Sequence, residues 1–164
     1  MIKIEIITPD LAEELCRKIT VDLPEYFGLP EANEHYAIGV RANINLAAKI
    51  AEEYVGLISI DFPYPENANI YWLGILQKFH RLGIGKILTE AAFKQAKIKG
   101  AKTISVETLA PQESDANYLN TYKFYQQLGF SPLFNLRPTG YEWNMVYMVK
   151  SLDNMSPYEI KDIL

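Results

Sequence analysis

Residues 77–86 have the composition of an anion-binding loop, because two glycines, Gly83 and Gly85, lie among basic side chains. The loop follows a mostly apolar run at residues 70–76 that predicts a buried strand, and it leads into a strongly patterned helix. Glycine lets the backbone approach a ligand closely, and the first N–H groups of a helix have no partners within it. These groups lie at the positive end of the helix dipole, so the sequence predicts a phosphate-binding site.

Two common phosphate-binding motifs do not fit this loop. The dinucleotide fingerprint needs a third glycine where Leu88 stands. In the nucleotide P-loop motif, Lys86 would match the lysine. However, the first glycine of that motif is replaced by His80, and the Ser or Thr that would hold magnesium is replaced by Ile87. The loop therefore belongs to another kind of phosphate site.

Residues 80–85 resemble the acyl-CoA-binding loop of the GNAT superfamily of N-acetyltransferases. That loop reads Gln or Arg, two residues, Gly, one residue, then Gly or Ala, and only the first position, His80, departs from it. Residues 117–130 resemble a later helix of the family, which ends in Tyr, three residues, then Gly-Phe. The order and separation of the two segments also fit, and the resemblance extends over about residues 55–152.

The resemblance implies one N-acetyltransferase domain over residues 1–164 with an α/β (α+β), GNAT-like fold. Its core would be a twisted, mixed but mostly antiparallel sheet of about six to seven strands, flanked by about four helices. The residue pattern agrees with this order of elements. It predicts a first strand at residues 2–6, a helix opened by Thr8, a hairpin around Glu52 and Glu53, a loop at residues 63–67, and a helix that starts at Gly83 and stops at Gly100.

Acetyl-CoA is the co-substrate that the resemblance implies. Backbone groups would make most of the contacts, Arg81 and Lys86 would meet phosphate oxygens, and Asn117 and Asn120 would bind the cofactor arm. An asparagine at a helix start is also a common N-cap, so both interpretations of Asn117 stay open. The implied contacts are Ile75, Leu76, Gln77, His80, Arg81, Leu82, Gly83, Ile84, Gly85, Lys86, Asn117 and Asn120.

Tyr125 stands where the family commonly places a tyrosine that donates a proton or hydrogen bond to the departing thiolate. A neutral phenol with a pKa of about 10 suits that task, although Tyr125 could instead only pack its helix onto the sheet. Many relatives deprotonate the amine with a glutamate on the central strand, where this chain has Asn69. The base is therefore unassigned, and the available carboxylates are Glu107, Asp61 and Glu66.

The resemblance implies that the acceptor is a primary amine of a small molecule, amino acid, polyamine or peptide, which attacks the thioester directly in a ternary complex. Aromatic residues occur in the regions that select substrates in this family. Tyr26 and Trp72 are the predicted substrate contacts, and Phe27, Tyr36, Tyr141 and Trp143 lie in the same regions. Cation–π contact would suit an amine, whereas the alternative for each ring is ordinary core packing.

Two other functions are compatible with these residues. A GNAT-like domain could bind acyl-CoA as a sensor or regulator with little turnover, and Asn69 in place of glutamate favours that alternative. The loop could also be a generic anion-binding turn of an unrelated protein, although the match at residues 125–130 argues against it.

The formal charge of −4 and pI of about 5.2 argue against nucleic acid as a partner and favour cationic substrates. Only one cysteine, Cys16, is present, and the two histidines, His35 and His80, have no zinc-like spacing, so no metal is expected. No signal segment or bilayer-length apolar run occurs, which predicts a cytoplasmic protein without a membrane partner. Dimers are common among relatives, so the resemblance also allows a homodimer.

Overall fold

One seven-stranded sheet forms the centre of the computed structural model, which describes residues 1–113 and 115–153. The strands are β1 (Ile2–Ile6), β2 (Ile44–Ile50), β3 (Glu53–Tyr64), β4 (Asn67–Ile75), β5 (Thr103–Leu109), β6 (Ser131–Leu136) and β7 (Met145–Ser151). The α-helices are α1 (Pro9–Asp22), α2 (Pro30–Gly39), α3 (Ile84–Ile98) and α4 (Ala116–Gln127). The order in the sheet is β1-β2-β3-β4-β5-β7-β6, and β4–β5 is the parallel pair. The predicted mixed α/β fold is confirmed.

Apolar residues recur along α3 at the spacing of a helix turn, so one side of the helix is buried in the core. Ile84, Leu88 and Ala92 recur at helical spacing and are almost completely buried. The helix ends before Gly100, whose φ of +94° few other residues adopt and whose N–H donates to the carbonyl of Lys97. Sequence reasoning predicted both ends of this helix correctly.

The turns are tighter than the sequence predicted. Glu53 already belongs to β3, where it pairs with Ile50, so the first hairpin turns at residues 51–52. The predicted loop at residues 63–67 is also shorter, because Tyr64 and Asn67 pair with each other across a turn at residues 65–66. Pro63 and Tyr64 lie at the exposed end of β3, where a strand tolerates both residues.

Helices cover the two faces of the central strands. On one face, Ile19 of α1 packs against Trp72 beside Gly74. On the other face, Leu88 of α3 lies close to Gly56, where an added Cβ would be only 3.0 Å from its Cδ1 atom. Glycine at position 56 therefore lets α3 approach the sheet closely. No helix among residues 1–113 and 115–153 is long and apolar enough to cross a bilayer.

β4 and β5 separate halfway along β4. They pair from Asn67 with Thr103 to Ile70 with Val106, and beyond that point β4 stays with β3 while β5 stays with β7. Tyr71 is an extra residue at this point, because the register with β3 jumps from Ile70 to Trp72. Such a bulge bends and twists its strand. The separation opens a cleft between the two strands.

Candidate active site

The cleft between β4 and β5 has a volume of about 530 Å³. Its walls come from the end of β4, residues 79–86, α4 and the segment between α1 and α2. The predicted site residues that line it are Tyr26, Ile75, His80, Arg81, Gly83, Ile84, Gly85, Lys86, Asn117, Asn120 and Tyr125. The structure therefore brings the two motif segments and the α1–α2 connection to one cavity.

The start of α3 presents backbone N–H groups to this cavity. Gly83 has a φ of +78°, and the first helical hydrogen bond runs from the N–H of Ile87 to the carbonyl of Gly83. No side chain caps the helix, so the N–H groups of residues 84–86 have no helical partner. An added Cβ at Gly85 would lie 3.2 Å from Ile75, so the helix start presses against β4. This arrangement suits a phosphate or another anion.

His80 attaches the loop to the end of β4. Its Nε2 atom lies 2.7 Å from the carbonyl oxygen of Ile75, which can only accept a hydrogen bond. This internal bond occupies the side chain at the position where the sequence departs from the family pattern. His80 therefore shapes the loop, and the backbone and its neighbours remain available for an anion.

Two cationic side chains flank the helix start in a chain of net charge −4. Arg81 and Lys86 are exposed and line the cleft. The Nζ atom of Lys86 lies 4.0 Å from a carboxylate oxygen of Glu90, one turn further along α3. An exposed ion pair of this kind contributes little, so Lys86 can turn towards an anion at small cost.

At the end of β4, the backbone of Ile75 faces the cleft and that of Leu76 does not. The N–H of Leu76 donates to Val55, and its carbonyl accepts from Phe79. Backbone groups alternate in direction along a strand, so those of Leu73 and Ile75 point towards the side from which β5 has departed. The predicted contact through Leu76 is thus corrected to Leu73, which also lines the cleft.

Three further predicted contacts lie outside the cleft wall. The N–H of Gln77 donates to the carboxylate of Asp22 at 2.7 Å, and the side chain of Leu82 is 58% exposed. Trp72, a predicted substrate contact, is only 5% exposed and stacks on Phe27 at 5.3 Å between ring centroids. The core-packing interpretation of Trp72 is the one that the structure supports.

Tyr125 reaches the cleft from a buried position on α4. Only 5% of the residue is exposed, and its ring makes edge contacts with Phe124 and Phe130 at 5.2 and 5.5 Å. Burial raises the pKa of the Tyr125 phenol well above its usual value. The phenol is therefore neutral at physiological pH and carries a proton that it can donate.

The N-terminus of α4 is capped by Asp115, whose carboxylate accepts from the N–H of Tyr118 at 3.1 Å. Asn117 is not the cap, and both Asn117 and Asn120 line the cleft. The hydroxyl of Tyr118 donates to the carbonyl of Tyr26 at 2.7 Å, which joins α4 to the α1–α2 connection. Phe27, one of the aromatic residues in the predicted substrate-selecting regions, also lines the cleft. Sequence reasoning assigned no site role to the remaining lining residues, which carry no motif: Leu23, Leu73, Gly74, Phe79, Thr121 and Phe124.

The three carboxylates considered for the base differ in position. Glu66 lies in the β3–β4 turn, 3.7 Å from the ammonium group of Lys102, and does not line the cleft. Asp61 accepts a hydrogen bond from Asn69 at 3.0 Å, and Asn69 in turn accepts one from Ser105 at 3.0 Å. Glu107 is the first residue of β5 beyond the pairing with β4. It therefore lies where the two strands separate.

Four tyrosines surround Glu107 and the bulge on β4, and we call Tyr36, Tyr71, Tyr141 and Tyr147 the tyrosine face. The rings of Tyr36 and Tyr71 meet edge to face at 5.2 Å, and Tyr147 is the cross-strand partner of Glu107. Burial and the neighbouring Glu107 carboxylate raise the pKa of Tyr147 to about 12. Burial, then Tyr141 and Glu107, raise the pKa of Tyr36 above its usual value. Because their pKa values are raised, the phenols of Tyr36 and Tyr147 are neutral at physiological pH.

Within residues 1–113 and 115–153, no three His, Cys, Asp or Glu side chains lie close enough together to hold a metal ion. The residues that line the cleft supply backbone N–H groups, two cationic side chains and a neutral phenol, and Glu107 lies outside this lining.

The model of the acetyltransferase (GNAT) family matches residues 10–130. A search of curated proteins gives no match. A GNAT-family protein from Desulfovibrio desulfuricans has a similar structure, with a TM-score of 0.79, 14% identity, and coverage of 93% of this chain and 99% of that one. The ribosomal-protein-S18-alanine N-acetyltransferase from Escherichia coli has a TM-score of 0.74, 16% identity and coverage of 95% and 99%. An aminoglycoside 6′-N-acetyltransferase complexed with coenzyme A has a TM-score of 0.71, 17% identity and coverage of 94% and 99%.

Proposed function

This chain belongs to the acetyltransferase (GNAT) family, and we propose that it transfers the acetyl group of acetyl-CoA to the nitrogen of a primary amine. The observation that carries the proposal is the cleft between β4 and β5. It joins the uncapped start of α3, the backbone edge of β4 and the phenol of Tyr125 in one cavity.

Residues on the α3 side of the cleft would hold acetyl-CoA. The N–H groups of residues 84–86 and the side chains of Arg81 and Lys86 suit its diphosphate. The backbone groups of Leu73 and Ile75 would pair with the amide-containing arm as a neighbouring strand does. A backbone N–H on this edge of β4 would also donate to the thioester oxygen as negative charge develops on it.

Tyr125 would complete the reaction by proton transfer. A carbon–nitrogen bond forms to the amine while the carbon–sulfur bond breaks, and the departing sulfur needs a proton. Because burial raises the pKa of the phenol, Tyr125 keeps its proton until the thiolate forms. Its edge contacts with Phe124 and Phe130 fix the ring and so fix the direction of donation.

We assign the proton-accepting role to Glu107. Amines are mostly protonated at neutral pH, so a base must remove a proton before the nitrogen can attack. None of the three carboxylates lines the cleft. Glu66 lies in the β3–β4 turn and Asp61 is hydrogen-bonded to Asn69, whereas Glu107 lies beside the point at which the strands separate. Glu107 would bind the ammonium form and accept one proton before the nitrogen attacks. The nitrogen loses a second proton as the carbon–sulfur bond breaks, and this proton replaces the one that Tyr125 gives to the sulfur, so that one proton is released overall.

The fold alone does not identify the acceptor amine. Proteins of similar structure include a ribosomal-protein-S18-alanine N-acetyltransferase and an aminoglycoside 6′-N-acetyltransferase, so one architecture accompanies quite different acceptors. Acceptor choice must then depend on side chains that differ between these proteins.

Thermal denaturation with acetyl-CoA, CoA, ATP and NAD tests the cofactor side. A ligand at a hundred times its Kd stabilises the native state by about 2.7 kcal/mol, which is a shift of several degrees. We expect a shift with acetyl-CoA and CoA alone. Equal shifts with all four ligands, or none, would refute the proposal, and release of free thiol with an amine panel then tests transfer itself.

A second candidate is an acyl-CoA sensor without turnover. The observation that favours it is Asn69, which stands where many relatives have their base and is held by Asp61 and Ser105. Binding of acetyl-CoA without thiol release from any amine would favour the sensor, and thiol release that depends on an amine would exclude it.

A further inference from the structure

Asp61 and Glu107 share one face of the sheet. Asp61 pairs with Asn69 across β3 and β4, and Asn69 pairs with Ser105 across β4 and β5. The side chains of these three residues are hydrogen-bonded in a row, and Glu107 follows Ser105 by two positions, so all four project to the same side. Two strand spacings and a shift of two residues separate the Cα atoms of Asp61 and Glu107 by roughly 12 Å.

Neither carboxylate on this face has a basic partner. Asp10, Glu13, Glu34, Glu52, Glu53, Glu66, Glu90 and Asp153 each lie within 4.0 Å of a Lys or Arg nitrogen. Asp61 and Glu107 make no such pair with any described residue. Several other described carboxylates also lack such a pair, so the distinguishing feature of Asp61 and Glu107 is that they share one face of the sheet with aromatic rings, where they leave a net negative charge.

Aromatic rings form the remaining surface around the two carboxylates. The rings of Tyr36 and Tyr71 meet edge to face at 5.2 Å, and Tyr147 is the cross-strand partner of Glu107. Burial raises the pKa of all three tyrosines, and the next contributions include the carboxylate of Asp61 for Tyr71 and that of Glu107 for Tyr36 and Tyr147, which places each carboxylate beside a ring. Ring faces and carboxylates together attract cations, because each offers negative electrostatic potential.

We propose that the acceptor is a small diamine or polyamine, whose reacting amine lies at Glu107 and whose second ammonium group lies at Asp61 beside Tyr71. This inference rests on the proposed function and adds the class of acceptor to it. An extended aliphatic diamine bridges the two positions once both carboxylate side chains reach inward. An acceptor with one charge would leave the Asp61 carboxylate without a counter-ion.

The experiment compares two acceptors that differ only in the second charge. Isothermal titration calorimetry measures 1,5-diaminopentane and 5-amino-1-pentanol binding to the protein saturated with CoA, so no turnover is needed. We expect the diamine to bind about ten-fold more tightly, which corresponds to one ion pair with cation–π support. The difference should shrink as the salt concentration rises.

The Asp61→Asn variant tests whether the Asp61 carboxylate causes the difference in affinity between the diamine and the amino alcohol. The asparagine side-chain oxygen can still accept the hydrogen bond from Asn69, so the thermal midpoint should stay close to that of the wild type. The variant should lose about ten-fold in affinity for the diamine and keep its affinity for the amino alcohol. Glu66→Gln removes the same charge from the β3–β4 turn and should change neither affinity.

Failure of this inference differs from failure of the proposed function. Equal binding of the two amines, binding of neither to the CoA complex, or a similar loss for both in Asp61→Asn would overturn the diamine assignment and leave CoA binding intact. Absence of CoA binding would instead contradict the proposed function before any amine is tested.

Discussion

The loop at residues 77–86 presents backbone N–H groups to the cleft, whereas the tyrosine face presents side chains. The loop is one continuous segment whose geometry depends on two glycines and on an internal bond from His80 to Ile75. The tyrosine face combines residues of α2, β4, β7 and the β6–β7 connection, which lie far apart in the sequence. We therefore expect acetyl-CoA binding at the loop to survive side-chain changes that leave the loop backbone intact. Amine binding at the tyrosine face should instead depend on the side chains themselves.

Loss of the phenol that serves both sides should have the largest effect. Tyr125→Phe keeps the ring contacts with Phe124 and Phe130 and removes only the proton donor. We expect kcat to fall about 100-fold with little change in the Kd of acetyl-CoA. Because burial raises the pKa of Tyr125, phenol ionisation should not lower the wild-type rate up to a pH of about 10.

Steady-state kinetics and a calorimetric Kd measure the two quantities. Tyr122→Phe on the same helix is the matched control, since the Tyr122 hydroxyl lies outside the cleft and accepts only a long bond from Gln126. An unchanged kcat in Tyr125→Phe would remove Tyr125 from the mechanism.

A change in the backbone of the loop should have the next largest effect. Gly83→Val forces a side chain onto a residue with a φ of +78° and into open space within the cleft. We expect the Kd of acetyl-CoA to rise roughly 30-fold, because the N–H groups of residues 84–86 move and the side chain fills the site.

Gly100→Val provides the control at the other end of α3. Gly100 has a φ of +94° and open space around it, so both variants carry similar strain, about 1–2 kcal/mol. Calorimetry of acetyl-CoA binding should show the loss only in Gly83→Val. An equal loss in both variants would mean that backbone strain, and not the site, determines affinity.

A change of charge on the acceptor side should have a smaller effect that depends on pH. Glu107→Gln should lower kcat/KM for the amine about ten-fold at pH 7 and leave the Kd of acetyl-CoA unchanged. As the pH rises, more amine arrives deprotonated and needs no base, so the deficit should narrow by pH 9. A ten-fold deficit that stays constant from pH 7 to pH 9 would contradict the proton-accepting role.

Removal of a loop side chain should have the smallest effect. His80→Ala deletes the hydrogen bond to the carbonyl of Ile75 and keeps every N–H group at the start of α3. We expect the Kd of acetyl-CoA to rise only about three-fold and the unfolding free energy to fall by about 1 kcal/mol. A loss of acetyl-CoA affinity as large as that of Gly83→Val would show that side chains, and not backbone N–H groups, determine the affinity of the loop.

Sequence reasoning succeeded where the signal is local. The N-terminus of α3 follows from Gly83, and its buried side follows from the spacing of Ile84, Leu88 and Ala92. Tyr125 was predicted from its spacing to the Gly-Phe pair. Each of these features involves residues that are neighbours in the chain, so the amino-acid order alone specifies them.

The errors occurred where a neighbour in space was decisive. Trp72 was assigned to the substrate, but Phe27 and Ile19 cover its ring in the core. Leu76 was expected to face the cofactor, but pairing with Val55 sets the direction of its backbone groups.

The sequence by itself determined the family, the glycine-containing turn into α3 and the order of the elements, because helix periodicity, glycine positions and motif spacing act over a few residues. Only the tertiary structure decided where β4 leaves β5, that Tyr71 forms a bulge there, and that Asp61 and Glu107 project from the same face of the sheet. The reason is physical: these features depend on the register between strands that are distant in the chain, and on which side chains fill the space that the register creates.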